Sequence, residues 1–550
     1  MLNGIIVVIL AIVIYTAILL LGWKRRLWSR LGISLYGPVM MLRTKRGRKF
    51  IERISSRRRF WSSYGRASIY ITFLSMIALT LFLAWQAYRT TTEPVTIEST
   101  LGTDIKLPGT NPLATLVYAV LAFAIAIAVH EYAHGIVSAA QSIRLESLGL
   151  LLLVIPIGAF VEPNETELKN TLRSKRARIY SSGPAANMII ATLSFILLVG
   201  ILGPYAQPTT EGALVTQVAS NSPAEMFGLK LWSEIISING ERIESPSQVD
   251  RLVYPNPGEP LQVNYIYGSR HELAIVPSGV AIGEVWDGPA YNARIKPGMI
   301  IKSLNDTVIN SHAELTSVTE NSTHDAPVNI TVLKYGYDQM TGKHWFVEDP
   351  TIRTINLTSK WTYYFTHNLG DNREEFRNKS VMGVVDYPLG VELKDPEFLL
   401  NTFARPFRDV HSPGDLVTAA IGYLSLPFSG YAPVAPEATD LYTPTGNLEG
   451  VPHDVYWTTM NVLYWLFWVN LLLGATNALP ALPMDGGYVF RDGVRELFHR
   501  WGLRLTGLDR TIGKTGPTDL QVDILVYLAS VFVYGIALFL LVWQVVWSPA

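Results

Sequence analysis

Hydrophobic residues are gathered in long runs along the chain, and charged residues are nearly confined to the stretches between them. A helix that crosses a bilayer needs about 20 apolar residues. Six segments reach about that length without a charged residue: Gly4–Trp23, Ala67–Tyr88, Leu107–Val129, Ile179–Thr210, Val455–Met484 and Ile524–Ala550. A buried core helix could explain one such run, but six together predict an α-helical polytopic membrane protein. Its six transmembrane helices are expected at 1–23, 67–88, 107–143, 179–204, 455–484 and 522–547.

The charges between the runs predict an orientation in the cell membrane. Lys and Arg are concentrated in 24–66, in 144–178 and in 485–521. Short loops rich in these residues mark the cytoplasmic side of a membrane. We therefore expect these three segments in the cytoplasm, and the N-terminus and residues 205–454 outside it. No basic residue precedes the apolar run at 1–23, which favours an uncleaved anchor over a secretory signal.

Composition narrows the possible classes of protein. Of the 550 residues, 49% are hydrophobic and only 16% are charged, whereas soluble domains carry about 25% charged residues. The formal net charge is zero, so a disordered chain and a basic nucleic-acid-binding protein are excluded. The chain contains no cysteine, which excludes disulfide frameworks, thiol catalysis and Cys-ligated metals. A metal site would have to use histidine and carboxylate ligands.

The polar region after the fourth run is predicted to be β-rich. Short β-branched segments alternate there with turn residues. The Ser-Pro-Ala sequence at 222–224 recurs as Gly-Pro-Ala at 288–290, with similar surroundings. The repeat predicts two PDZ-like domains, at 212–278 and 279–334, which would bind a peptide by strand addition or act only as a spacer or gate. No fold is assigned to 335–454.

The third apolar run ends in a pattern that suits a metal. His130, Glu131 and His134 form an HExxH sequence. Residues at i and i+4 share one face of a helix, so the two histidines can bind one ion, with Glu131 as general base. Ionisable residues inside a span are costly and usually functional. The alternative is a polar cluster satisfied between helices.

Two carboxylates compete to be the third ligand. Catalytic zinc sites usually have three protein ligands. Asp485 follows Pro480 and Pro483, which break a helix, and precedes two glycines that permit an unusual backbone. Glu162 lies 28 residues after His134. Spacing alone leaves both open.

Three motifs together resemble the site-2 protease family of intramembrane zinc metalloproteases. They are HExxH at 130–134, Gly183–Pro184 with Asn187, and N-x-x-P-x-x-P-x-D-G-G at 477–487. The resemblance covers the three spans that carry these motifs. Bacterial relatives in this family also insert tandem PDZ modules between the second and third of these spans.

The resemblance implies a set of site residues. One Zn²⁺ per chain would be bound by His130, His134 and Asp485. Glu131 would be the catalytic acid and base, and Asn477 would lie beside the scissile carbonyl. The membrane hairpin within 144–178 would bind substrate through an edge strand: Gly158, Ala159, Phe160 and Val161.

The sequence thus predicts an intramembrane zinc metalloendopeptidase. It would hydrolyse peptide bonds within or near the transmembrane segments of membrane-anchored proteins, as in regulated intramembrane proteolysis. The expected partners are single-span substrates, the lipid bilayer and a peptide ligand of the PDZ-like domains, with no nucleic acid. The rival interpretations are a catalytically silent membrane scaffold, which the intact Glu131 argues against, and a transporter, which the D-G-G sequence argues against.

Overall fold

The computed structural model divides the chain into two units. It describes isolated positions between 15 and 28 and residues 33–36, 39–92, 112–152, 156–253, 256–324, 326–338, 343–366, 374–429, 434, 436–501 and 519–547. The membrane unit comprises 1–91, 116–196 and 462–548, and the β unit comprises 92–115, 197–461 and 549–550.

Helices occur in both units, and the long ones lie mainly in the membrane unit. The described α-helices are, in chain order, α1 (Arg48–Ser55), α2 (Arg58–Thr92), α3 (Pro112–Ala140), α4 (Glu165–Asn170), α5 (Arg173–Phe195), α6 (Pro223–Met226), α7 (Pro246–Val253), α8 (Pro289–Asn292), α9 (His312–Asn321), α10 (Lys360–Thr366), α11 (Glu397–Phe403), α12 (Pro413–Ser429), α13 (Pro436–Thr439), α14 (His453–Asn477), α15 (Asp485–Trp501) and α16 (Asp519–Trp547). A π-helical segment, Ile196–Leu202, continues α5.

Strands occur in both units. They are β1 (Ile33–Tyr36), β2 (Val39–Thr44), β3 (Leu145–Leu152), β4 (Pro156–Pro163), β5 (Ala206–Pro208), β6 (Ala213–Val218), β7 (Glu234–Ile238), β8 (Glu241–Arg242), β9 (Pro260–Tyr267), β10 (Arg270–Pro277), β11 (Val280–Val285), β12 (Ile300–Leu304), β13 (Thr307–Val308), β14 (Pro327–Asp338), β15 (Lys343–Glu348), β16 (Thr354–Asn356), β17 (Thr358–Ser359), β18 (Ser380–Val381), β19 (Val384–Pro388), β20 (Val391–Lys394) and β21 (Tyr442–Pro444).

Five described helices are long and apolar enough to cross a membrane, namely α2, α3, α5 with its π-helical extension, α14 and α16. They correspond to the second to sixth predicted spans. The first predicted span, at 1–23, lies outside the described residues except for isolated positions. Large apolar side chains on these helices are exposed, such as Leu74 at 67% and Leu538 at 62%, as expected for surfaces that face lipid.

The ends of several predicted segments are wrong. Helix α2 begins at Arg58 rather than at 67. The basic residues before 67 do not stop the helix, because their long side chains can extend away from the apolar region. Helix α14 ends at Asn477 rather than at 484, because the two prolines that follow cannot continue it. Asp485 opens helix α15, where a loop was predicted. The predicted basic loop at 24–66 contains β1, β2 and α1.

A four-stranded antiparallel sheet lies in the membrane unit, in the order β1-β2-β3-β4. The β3–β4 pair is the predicted hairpin, and its register sets Leu148 opposite Val161. Strand β4 approaches α3 closely at Gly135, where a methyl group would lie 2.9 Å from the Val161 side chain. The sheet therefore places the predicted substrate-binding strand against the HExxH helix.

The two β modules are nested rather than consecutive. The first sheet runs β10-β9-β7-β6-β20, and the second runs β15-β14-β12-β11-β19. Strand β20 pairs with β6 although it follows the whole second module in the chain. The predicted ends at 278 and 334 are therefore too early, because these sheets take their last strands from 384–394. Such distant pairing leaves no local sequence pattern.

Candidate metal centre

Two helices bring three potential ligand atoms together. Helix α3 carries His130 and His134 one turn apart, and their Nε2 atoms are 3.2 Å from each other. Asp485, the first residue of α15, places Oδ2 3.0 Å from the His130 nitrogen and 3.1 Å from the His134 nitrogen. The three atoms form a nearly equilateral triangle in a mostly buried site.

The triangle fits a zinc ion. Zinc bonds to histidine nitrogen and carboxylate oxygen are about 2.0 to 2.2 Å long, so two ligand atoms of a tetrahedral site lie roughly 3.3 to 3.5 Å apart. The observed separations are slightly shorter, and small side-chain movements would correct them. Three protein ligands also leave a fourth position for water, as in catalytic rather than structural sites.

The outer nitrogen of His134 is held by the backbone of α5. Its Nδ1 donates to the Ile179 carbonyl oxygen at 2.7 Å. The Ser182 hydroxyl donates to the same oxygen at 2.7 Å. A histidine that donates from Nδ1 presents the lone pair of Nε2, which is the tautomer that a metal ligand requires.

The outer nitrogen of His130 faces the side-chain amide of Asn187, 3.3 Å away. Asn187 is fully buried, and its Oδ1 has no hydrogen bond when the amide nitrogen points at the ring. The opposite amide orientation lets Oδ1 accept a proton from Nδ1 and leaves Nε2 as the ligand. Both histidines are therefore oriented by α5.

Helix α5 can lie this close because residue 183 is glycine. A methyl group there would overlap His134 Nε2 and lie 2.7 Å from His130 Nε2. Helix α5 is also bound by α2. Tyr64 donates to the Ser182 carbonyl at 2.7 Å, and Thr72 donates to the Ser181 carbonyl at 3.1 Å.

Glu131 links α3 to the membrane sheet. Its Oε2 accepts the backbone N–H of Val161 at 3.1 Å. Among the described strands, β4 is the last of its sheet, and the Val161 N–H on its outer edge faces the HExxH helix. The four residues predicted to bind substrate, 158–161, all lie on β4.

The remaining predicted residues make their hydrogen bonds and ion pairs with groups other than the three ligand atoms. Glu162 accepts the Ser147 hydroxyl at 2.5 Å and pairs with Arg43 at 3.6 Å, so it is engaged elsewhere. Asn477 is the last residue of α14, and its amide nitrogen donates to the Leu473 carbonyl at 3.0 Å. Among the described carboxylates, Asp485 is the one that joins the histidines.

Sequence reasoning missed the contacts that orient the ligands. The sequence marks Asn187 only as part of a motif, and it does not point to Tyr64 or Ser182. One signal was present, since the run Ser-Ser-Gly-Pro-Ala-Ala-Asn at 181–187 places small and polar residues in the otherwise apolar run at 179–210. Such residues mark close packing between helices in a membrane.

A two-histidine, one-carboxylate centre within a bundle of apolar helices defines the class, a multi-pass membrane protein with a candidate metal centre. The model of Peptidase family M50 matches residues 118–504, more than two thirds of the chain. The chain therefore belongs to peptidase family M50.

Individual relatives match over shorter stretches. An uncharacterised protein of Methanocaldococcus jannaschii is 32% identical over 220 residues, which is 39% of this chain and 56% of that protein. A provisionally named zinc metalloprotease of Clostridium acetobutylicum is 27% identical over 172 residues, 27% of this chain and 49% of its own length. Zinc metalloprotease RasP of Geobacillus kaustophilus is 28% identical over 102 residues, 18% of this chain and 23% of its own length. The chain thus spans between about a quarter and about half of these relatives.

Proposed function

We propose that the protein is an intramembrane zinc metalloendopeptidase that cleaves membrane-anchored proteins within or near their transmembrane segments. The observation that carries the proposal is the triangle of His130, His134 and Asp485 atoms, built inside a unit of apolar helices with Glu131 beside it. The names of two relatives in the family support zinc as the metal.

Each residue has a defined task in this proposal. Zinc bound by the two histidines and Asp485 would supply the Lewis acid that makes water nucleophilic near neutral pH. Glu131 accepts the proton of the attacking water and passes it to the leaving amine, so it serves as base and then as acid. Asn477 would donate to the oxyanion that develops on the scissile carbonyl.

Strand β4 would present the substrate. The peptide bonds of a transmembrane helix are engaged in internal hydrogen bonds, so a segment must unwind before its carbonyl can be attacked. An unwound segment inside a bilayer needs new backbone partners. The outer edge of β4 could supply them by strand addition, and its N–H at Val161 already contacts Glu131.

Glu131→Gln tests the proposed activity. The variant keeps the size of the side chain and all three ligands, so it should retain about one zinc per chain. It should lose at least about 100-fold in cleavage of a single-span model substrate in detergent, because it cannot accept the proton. Elemental analysis and gel-based cleavage measure the two properties. Cleavage at the wild-type rate would show the mechanism to be wrong.

A second pair of variants tests the third ligand. Asp485→Ala should lose zinc, and Glu162→Ala should retain it, because Glu162 is bound to Ser147 and Arg43. The reverse result would reassign the ligand. Both variants remove one carboxylate from the membrane unit, so each serves as the control for the other.

The nested β modules would be PDZ-like domains that control access. The predicted orientation puts them outside the cytoplasm, where they would bind the peptide left by an earlier cut or block uncut substrates. The topology fixes the test, because β19 and β20 complete the two sheets. Deleting 213–394 removes both modules whole and should let uncut substrates be cleaved, whereas unchanged exclusion of them would refute gating.

A further inference from the structure

We infer that a ladder of side-chain contacts between α5 and α15 positions Asp485 at the metal centre. The ladder consists of two pairs: Tyr180 with Tyr488, and Arg176 with Asp492. The inference rests on the proposed function, since it assigns to these residues the task of presenting the third metal ligand.

The third ligand needs such support because it comes from a separate helix. The two histidines are one turn apart on α3, so a single helix fixes their relative position. Asp485 instead opens α15, after the irregular segment at 478–484. The position of its carboxylate therefore depends on what fixes the rotation and the axial position of α15.

The first contact of the ladder lies one turn from the ligand. The rings of Tyr180 and Tyr488 are stacked, with centroids 4.9 Å apart and planes at 19°. Tyr488 is three residues after Asp485, and Tyr180 is three residues before Gly183, where an added methyl group would meet both histidines. A rotation of α15 that moved the carboxylate would separate these rings.

The second contact is a buried, bidentate ion pair. Arg176 donates from Nε to Asp492 Oδ2 at 2.8 Å and from a terminal nitrogen to Oδ1 at 2.6 Å. The side chains are only 11% and 3% exposed. Arg176 also donates to the Lys169 carbonyl at 3.1 Å, which fixes the guanidinium itself. A fork of two parallel hydrogen bonds holds one geometry, and register is the best-attested use of a buried pair.

The spacing of the contacts makes them one device. On α15 the ligand and the ladder residues lie at 485, 488 and 492, and on α5 the ladder residues lie at 180 and 176. Steps of three and four residues keep each set on one helix face. A slip of α15 by one residue would therefore break every contact at once. A further pair between the same helices, Arg173 with Glu496, is 3.5 Å apart and about 40% exposed, so it lies outside the ladder and offers a control.

The experiment measures zinc affinity by chelator competition and the visible absorption spectrum of the cobalt-substituted protein. Asp492→Asn and Arg176→Gln should each weaken zinc binding about tenfold, the low end of the effect of outer contacts on metal sites, and should alter the cobalt spectrum. Arg176→Lys keeps the charge without the fork and should weaken it less. Arg173→Gln is the matched control on the same two helices and should change neither property.

Two results distinguish positioning from ordinary stabilisation. The reversed pair Arg176→Asp with Asp492→Arg should recover most of the zinc affinity, because the contact is restored. The inference would be overturned if Arg176→Lys and Asp492→Asn bound zinc within twofold of the wild-type affinity and showed the wild-type cobalt spectrum. A lower melting temperature in these variants would not rescue it. A wild-type protein that retains no zinc would instead overturn the proposed function, and this inference with it.

Discussion

Replacing Gly183 with alanine should disrupt the metal centre without removing any ligand. The added methyl group would lie 2.7 Å from His130 Nε2, whereas ordinary contact begins at 3.4 Å. That nitrogen would have to move by about 0.7 Å, and the overlap with His134 Nε2 is more severe. Metal sites tolerate distance errors of only about 0.2 Å. We therefore expect zinc affinity to fall at least about 100-fold, or about 2.8 kcal/mol.

The assay compares zinc affinity, cleavage and thermal unfolding in one detergent preparation. Gly183→Ala should lose zinc and cleavage together. Gly535→Ala is the control, because a methyl group at Gly535 on α16 meets no atom of the described residues within 4 Å and alanine favours a helix. Wild-type zinc affinity in Gly183→Ala would refute the reasoning, since it would mean that residue 183 does not lie against the ligand nitrogens.

Two further predictions concern contacts away from the ligands. Tyr64→Phe removes the hydroxyl that donates to the Ser182 carbonyl and should lower the free energy of unfolding by about 1 kcal/mol, with weaker zinc binding; an unchanged melting temperature and zinc affinity would contradict it. In the β unit, burial opposes the ionisation of Glu320, but hydrogen bonds from Lys360 and Lys379 outweigh it and hold the pKa of Glu320 below its usual value. A lowered pKa stabilises the fold above pH of about 4.5, and this is lost as the pH falls through the folded-state pKa. Glu320→Gln should thus cost about 1 to 2 kcal/mol at pH 7 and progressively less below pH of about 4.5, as measured by thermal melts; a difference independent of pH would refute the ion pairs.

The candidate metal ligands could be predicted from the sequence because their spacing is local or because they are charged residues in an apolar setting. His130 and His134 are one turn apart, and charged residues within apolar runs are conspicuous. Glu162 could not be set aside in this way, since nothing local reveals that it binds Ser147 and Arg43. Spacing alone leaves Asp485 and Glu162 open, and only the family resemblance favours Asp485 in advance. The structure brings Asp485 to the histidines through two helices that are distant in the chain.

The rest of the architecture depends on pairing between distant segments. Strand β20 pairs with β6 across more than 170 residues. The hydrophobic pattern within each strand does not indicate which strand it pairs with. The same holds for Arg176 and Asp492, which are separated by 316 residues. Each of the two residues lies in a segment that its Lys and Arg content predicts to be exposed in the cytoplasm, although the pair is buried.

The two glycines after Asp485 are needed for their small size rather than for the unusual backbone that the sequence predicts. Gly486 and Gly487 were expected to permit an unusual backbone, yet both lie in the first turn of α15. A methyl group at Gly487 would lie 2.6 Å from the Ala481 backbone, and one at Gly486 would overlap the Ala478 carbonyl. They are small so that α15 can start against the preceding segment, which brings Asp485 to the centre.

Helix α5 emerges as the element that organises the site, although it supplies no ligand. Its Ile179 carbonyl orients one histidine, and its Asn187 amide orients the other. In an apolar environment the outer N–H groups of the two histidines cannot hydrogen-bond to water, so each needs an acceptor from the protein. The same helix binds α15 through Arg176, which places the carboxylate. Conservative changes on this face of α5 should therefore impair metal binding more than changes at its exposed positions, such as Leu193.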